Sequence, residues 1–148
     1  MQLNDMAYAA HRIALEADLR RECSEEGFKF YRNLPAEIQD VVEEWIDLRI
    51  THSVRELHSS YGLKHVLQAD TGIYLTNCQF KVAMRFCGWL PYKKDPIMDN
   101  DPNMVNWIFK CRIVKDPASM DCPWISVRSN LLNKLKDIDL NHFQGVDR

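Results

Sequence analysis

No run of apolar residues in this chain approaches the ~20 that cross a bilayer, and its start carries no basic-then-apolar leader. The expectation is a soluble, cytoplasmic protein without membrane contact. Charge of one sign is also lacking. The chain has 19 Lys and Arg against 21 Asp and Glu, a formal net charge of −2. That balance excludes a surface wholly adapted to polyanions, and equally a strongly acidic mimic of one. The five cysteines are odd in number and contain no C-x-x-C pair, which argues against a disulfide framework or a structural zinc site. Cys78, Cys87 and Cys111 stand in apolar patterns and read as small core hydrophobes. No H-E-x-x-H is present, and His52, His58, His65 and His142 are scattered, so no metal site is expected. Without a nucleophile–base signature or a glycine-rich phosphate loop, no enzyme and no cofactor are expected either.

What is present fits one domain. The 148 residues are 46% hydrophobic, enough to bury a core. They divide into an N-terminal helical part (1–50), a central unit (51–115), and a connector with a C-terminal helix (116–148).

The central unit spells out helix, tight turn, helix. Ser59 or Ser60 is placed to cap a helix over 61–71, and Gly72 supplies the left-handed residue that closes one. Thr76 stands three residues before Gln79, the capping-box spacing, and opens a second helix. Phe80, Ala83, Met84 and Cys87 form its apolar stripe, and Lys81 with Arg85 fall outside it. A hairpin follows, from 90–94 to 106–114, with Trp107, Phe109, Cys111 and Ile113 on one side of its second strand. Ile108, Lys110, Arg112 and Val114 share the other side. Two prolines and several Asp and Asn residues fill the loop between the strands.

Elsewhere the pattern is helical. One long amphipathic helix is expected over 5–26, with Met6, Ala9, Ala10, Ile13, Ala17 and Leu19 as its stripe and Gly27 past its end. A second is expected to start near Pro35 and run to Arg49, burying Ile38, Val41, Val42, Trp45, Ile46 and Leu48. Ser53-x-x-Glu56 reads as another capping box opening a short helix. A final helix is expected over 124–138. The fold class is therefore mostly α with a small β-hairpin, an α+β arrangement.

Charge is distributed unevenly. Residues 1–50 hold eleven acids and six bases, whereas residues 81–115 hold seven bases and three acids. A locally basic helix and hairpin can hold phosphates. Trp45 and Trp107 belong to apolar faces, while Trp89 and Trp124 are candidate interface anchors.

Ser60-Tyr61-Gly62-Leu63-Lys64-His65, Tyr74-Leu75-Thr76-Asn77, Phe80-Lys81-Val82-Ala83-Met84, Gly88-Trp89 and Asn106-Trp107-Ile108-Phe109 together resemble a shared core. It is that of small proteins encoded by bacteriophages and integrative conjugative elements. The resemblance covers the middle third and implies a mobile-element protein with a winged-helix-like core, without implying a defined activity. Two partners follow as expectations. In the first, the helix-turn-helix presents Asn77, Gln79, Lys81 and Arg85 to a major groove of double-stranded DNA, with Lys93, Lys94, Lys110 and Arg112 on its backbone. In the second, the same scaffold inhibits a host defence protein such as a CRISPR effector nuclease. The C-terminal helix adds the expectation of a homodimer.

Overall fold

Among the described residues, local signals and long-range pairing build a three-stranded antiparallel sheet and the helices that surround it, in the order α1 (Leu3–Glu22), α2 (Ser24–Arg32), α3 (Ala36–Arg49), β1 (Ile50–Ser59), α4 (Ser60–Thr71), α5 (Asn77–Phe86), β2 (Lys93–Pro96) and β3 (Val105–Ile113). The computed structural model describes residues 3–96, 105–114 and 131–138. The α4–α5 unit forms as its caps dictate. Ser59 accepts a hydrogen bond from the Gly62 amide, and Gly72 closes α4 at φ 79°. Thr76 and Gln79 form the complete capping box at the head of α5. Thr76→Ala is expected to cost about 1 kcal/mol, measured by denaturant unfolding with the slope unchanged, because one orphan amide of α5 loses its acceptor.

The N-terminal region departs from a single helix. Cys23 breaks it, and α2 continues through Gly27 to Arg32, so 28–31 is helical. The break lets two faces be buried at once: Leu15, Leu19 and Cys23 from the first arm, Phe28 and Tyr31 from the second. Helix α3 begins at Pro35, its N-cap residue, as expected from a proline that needs no amide partner there.

The largest departure is β1. Ser53 does accept from the amides of Arg55 and Glu56, but within a strand. Its register jumps from His52 opposite Cys111 to Leu57 opposite Lys110, so residues 53–56 bulge out of the ladder. A hydroxyl–amide motif that opens a helix elsewhere here closes a turn, because the flanking residues gain ladder bonds to β3. The expected hairpin is present as β2 and β3, and the sheet order is β1-β3-β2. The loop between them and residues 124–130 of the expected last helix lie outside the described residues. What is described of that helix tightens into bonds of the i to i+3 kind, such as Leu135 N–H to Leu132 C=O, with Leu131 and Leu135 buried.

At the centre lies α5. Cys78, Gln79, Phe80, Lys81, Val82, Ala83 and Met84 are consecutive and all buried. It packs against α2, α3, α4 and α1, while Lys81 reaches the sheet at Val105 and Trp107. On the inner side of β3, Trp107, Phe109, Cys111 and Ile113 join the same core, the side that alternation assigned them.

Candidate interaction surface

The eight expected contact residues separate into two groups. Those on α5 face inward. The Asn77 side chain accepts from the Ser60 hydroxyl at 2.6 Å and donates to the Val105 carbonyl at 3.1 Å. Gln79 is spent on the capping box and on the Phe30 carbonyl at 3.3 Å. Lys81 has no exposed surface at all: its ammonium donates to the Val105 carbonyl at 2.9 Å and lies 5.2 Å from the Trp107 ring. Arg85 is mostly covered, with Glu22 of α1 at 3.6 Å. The expectation that α5 offers these four to a DNA groove is therefore corrected. The first two helices cover the face that would have to enter it, and the carboxylate of Glu22 stands beside Arg85.

Trp89 is corrected likewise. It is buried, stacked on His52 at 4.3 Å and edge-on to Phe109 at 6.4 Å, so it is a core residue. Trp124 lies outside the described residues. The motif behind the mobile-element resemblance is also structural. Ser60 accepts from the Trp107 amide at 3.1 Å, Leu63 is in the core, and buried Lys64 sits between Tyr61 (5.1 Å) and Tyr74 (4.4 Å). Burial pulls the Lys64 ammonium below the usual lysine range.

Three of the four hairpin cations, Lys93, Lys110 and Arg112, share the outer face of the sheet. Residues directly opposite in an antiparallel ladder share a face. The side opposite Trp107 and Phe109 therefore carries Ile108, Lys110 and Arg112 from β3, Leu57 and Thr51 from β1, and Lys93 from β2. Lys93, Lys110, Arg112 and Leu57 are exposed. Tyr92, also exposed, places its ring 4.1 Å from the Lys110 ammonium. Lys94 pairs with Trp107 on the other face and reaches out at the rim, its ammonium 5.2 Å from that ring. Three cations, one aromatic ring and two aliphatic side chains thus share one sheet face. Sequence reasoning identified the cations but missed Leu57 and Tyr92. Leu57 was hidden by reading its segment as a helix, and Tyr92 stood in plain view one residue before Lys93.

Other features carry less chemistry. An open cleft of about 470 Å³ between α1, α2 and α3 is lined by Arg12, Arg32, Leu34, Ala36, Gln39, Asp40 and Glu43. Several of its polar groups are already engaged: Arg12 lies 3.8 Å from Glu43, Arg32 donates to Gln39 at 2.9 Å, and Tyr31 donates to Glu43 at 2.7 Å. Burial pushes the Cys111 thiol up to about 11 and Cys87 higher still, as inert core thiols require. Cys23 is the exception, held below the usual thiol range by its hydrogen bond with Cys78. Among the described residues no group of three or more His, Cys, Asp or Glu could hold a metal ion. Among them, too, no helix is long and apolar enough to cross a membrane. The chain matches no protein-family model, no curated protein and no solved structure.

Proposed function

We propose that this chain is a non-enzymatic, winged-helix-like protein of the mobile-element kind that works by binding another protein through the outer face of its sheet. The chain order α3, β1, α4, α5, β2, β3, with β1 paired to β3, supports a winged-helix-like core. One observation carries the choice of partner. The helix that would read bases is enclosed, and the remaining outward surface mixes Lys93, Lys110 and Arg112 with Leu57, Tyr92 and Ile108. Aliphatic side chains have little use against phosphates, whereas a tyrosine, an arginine and apolar neighbours are what protein hot spots contain. The cations favour an acidic partner surface. The mobile-element resemblance makes a host defence protein, a CRISPR effector nuclease included, the partner class to test first.

Double-stranded DNA is the second candidate, favoured by the convergence of the same cations on one face. In that case they would grip backbone without base reading. Replacing Lys110 and Arg112 together by Glu separates the two. With tagged protein in host lysate, a single stoichiometric protein partner is expected to survive nuclease treatment and to be lost, at least 100-fold in affinity, in the double variant. The fold should be unaffected, since both residues are exposed. Tight duplex binding that weakens steeply with salt, with no protein captured, would reverse the choice.

A further inference from the structure

Two of the four described cysteines touch, and they sit where the N-terminal helices meet the centre of the fold. Cys78, in the first turn of α5, donates its thiol to the Cys23 carbonyl at 3.5 Å, and the two thiols hydrogen-bond each other. Both are buried, Cys23 completely. Cys23 stands between α1 and α2 rather than inside either, and although it is the N-cap residue of α2 its side chain makes no cap hydrogen bond. That thiol can turn toward its neighbour without unwinding a helix.

The joint around them is thinly bonded. One residue before Cys23, the Glu22 Oε2 lies 3.6 Å from the Arg85 Nε of α5, and these two buried atoms reach no hydrogen-bond partner. Buried polar atoms are seldom left so, and here they mark the place where α1 holds α5 least firmly. The hydrogen bond from Cys78, helped by the enclosed Lys81 ammonium, holds the Cys23 thiol below its usual range against the opposing effect of burial. Burial instead raises Cys87 and Cys111. The thiolate is the nucleophile, so of these thiols Cys23 is the one prepared to react.

We propose that Cys23 and Cys78 form a redox site, which hydrogen peroxide converts to a disulfide that pins the α1–α2 joint to the central helix. In the first step the Cys23 sulfur attacks one peroxide oxygen. The S–O bond forms, the O–O bond breaks, and the departing hydroxide leaves as water with the proton of the Cys23 thiol. The Cys78 sulfur then attacks the resulting sulfenic acid. The S–S bond forms as the S–O bond breaks, and the hydroxide leaves with the Cys78 proton as a second water. Two thiols and one peroxide thus give one disulfide and two waters, the peroxide taking both electrons. Burial selects the oxidant, since a bulky disulfide has no room beside two covered sulfurs, whereas peroxide is little larger than water. The bridge would join residues 55 apart in sequence and remove freedom chiefly from the unfolded chain. The outer sheet face takes no part, and the proposal does not rest on its partner.

The reduced full chain, exposed to millimolar hydrogen peroxide and then alkylated in denaturant, tests it. Its five alkylatable thiols are expected to fall to three, with tryptic peptides 22–29 and 65–81 joined to each other. The melting temperature should rise by roughly 5–15 °C, and the gain should vanish when the melt is repeated with a reductant. Cys78→Ser removes the second sulfur, so peroxide should strand a sulfenic acid on Cys23 that dimedone traps, and Cys23→Ser should leave no such adduct on Cys78. Circular dichroism of both variants verifies that they fold. Five thiols retained by the treated parent, a bridge to any other cysteine, a bridge that leaves the melting temperature unchanged, or no dimedone adduct on a folded Cys78→Ser protein would each overturn the proposal.

Discussion

Lys81→Ala is expected to lower stability by about 3 kcal/mol and the melting temperature by roughly 6–12 °C, because the substitution empties the space of a fully enclosed side chain. The four-methylene stem is wholly covered, and the ammonium at its end lies 5.2 Å from the buried Trp107 ring. Lys81→Met separates stem from charge. The Val105 carbonyl still accepts from Asn77 at 3.1 Å after the ammonium is gone, so no buried acceptor is orphaned. Exchanging a buried ion for an unbranched thioether of similar length is therefore expected to cost less than about 1.5 kcal/mol. Thermal unfolding of both variants measures the difference. A lysine held out to a nucleic acid would leave both melting curves where the parent's is.

Asp70→Ala should cost a similar amount, about 3 kcal/mol, for a different reason. One carboxylate oxygen accepts from the Trp45 indole at 2.7 Å and from Arg49 at 3.1 Å, tying the middle and end of α3 to the last turn of α4. Arg49 also donates to the Val114 carbonyl, while the Val114 amide returns a bond to the Arg49 carbonyl at 2.8 Å, so the end of β3 is held in the same knot. Without Asp70 a buried indole N–H loses its acceptor and a mostly covered guanidinium loses its counter-charge. Asp70→Asn keeps an acceptor for Trp45 and removes only the charge. It is expected to lose about half as much, read by urea denaturation of the three proteins side by side.

The α4–α5 unit was legible because its boundaries are local chemistry. Ser59, Gly72, Thr76 and Gln79 each act within four residues of themselves, and no distant contact has to be known. The alternation of β3 was legible for the same reason. Strand β1 was not, since Ser53 and Glu56 form a locally valid helix start, and only the partner strand, about fifty residues away, tips the balance. The faces of α5 failed more instructively. Phe80, Ala83, Met84 and Cys87 correctly mark one packed side, but periodicity cannot report that α1 and α2 cover another. Lys81 and Arg85 fall outside that stripe, yet Lys81 is buried by its stem and Arg85 is met by Glu22. The same limit applied to α1. Of its expected stripe only Leu19 is fully buried, and it is joined in the core by Leu15, which that stripe leaves out.

The interruption at residues 53–56 has a bearing on how this protein coexists with other chains. In the order β1-β3-β2, the first and last strands are the sheet margins, where unpaired backbone groups invite foreign strands to add on. One margin is broken in the middle by the protruding segment, which carries Val54 at its crest. The other is four residues long, starts with two lysines and ends in a proline. Neither gives an incoming strand an uninterrupted length to zip onto, so recruitment into fibrils or unintended strand exchange is blocked at both rims, and encounters with other chains are confined to what side chains can recognise.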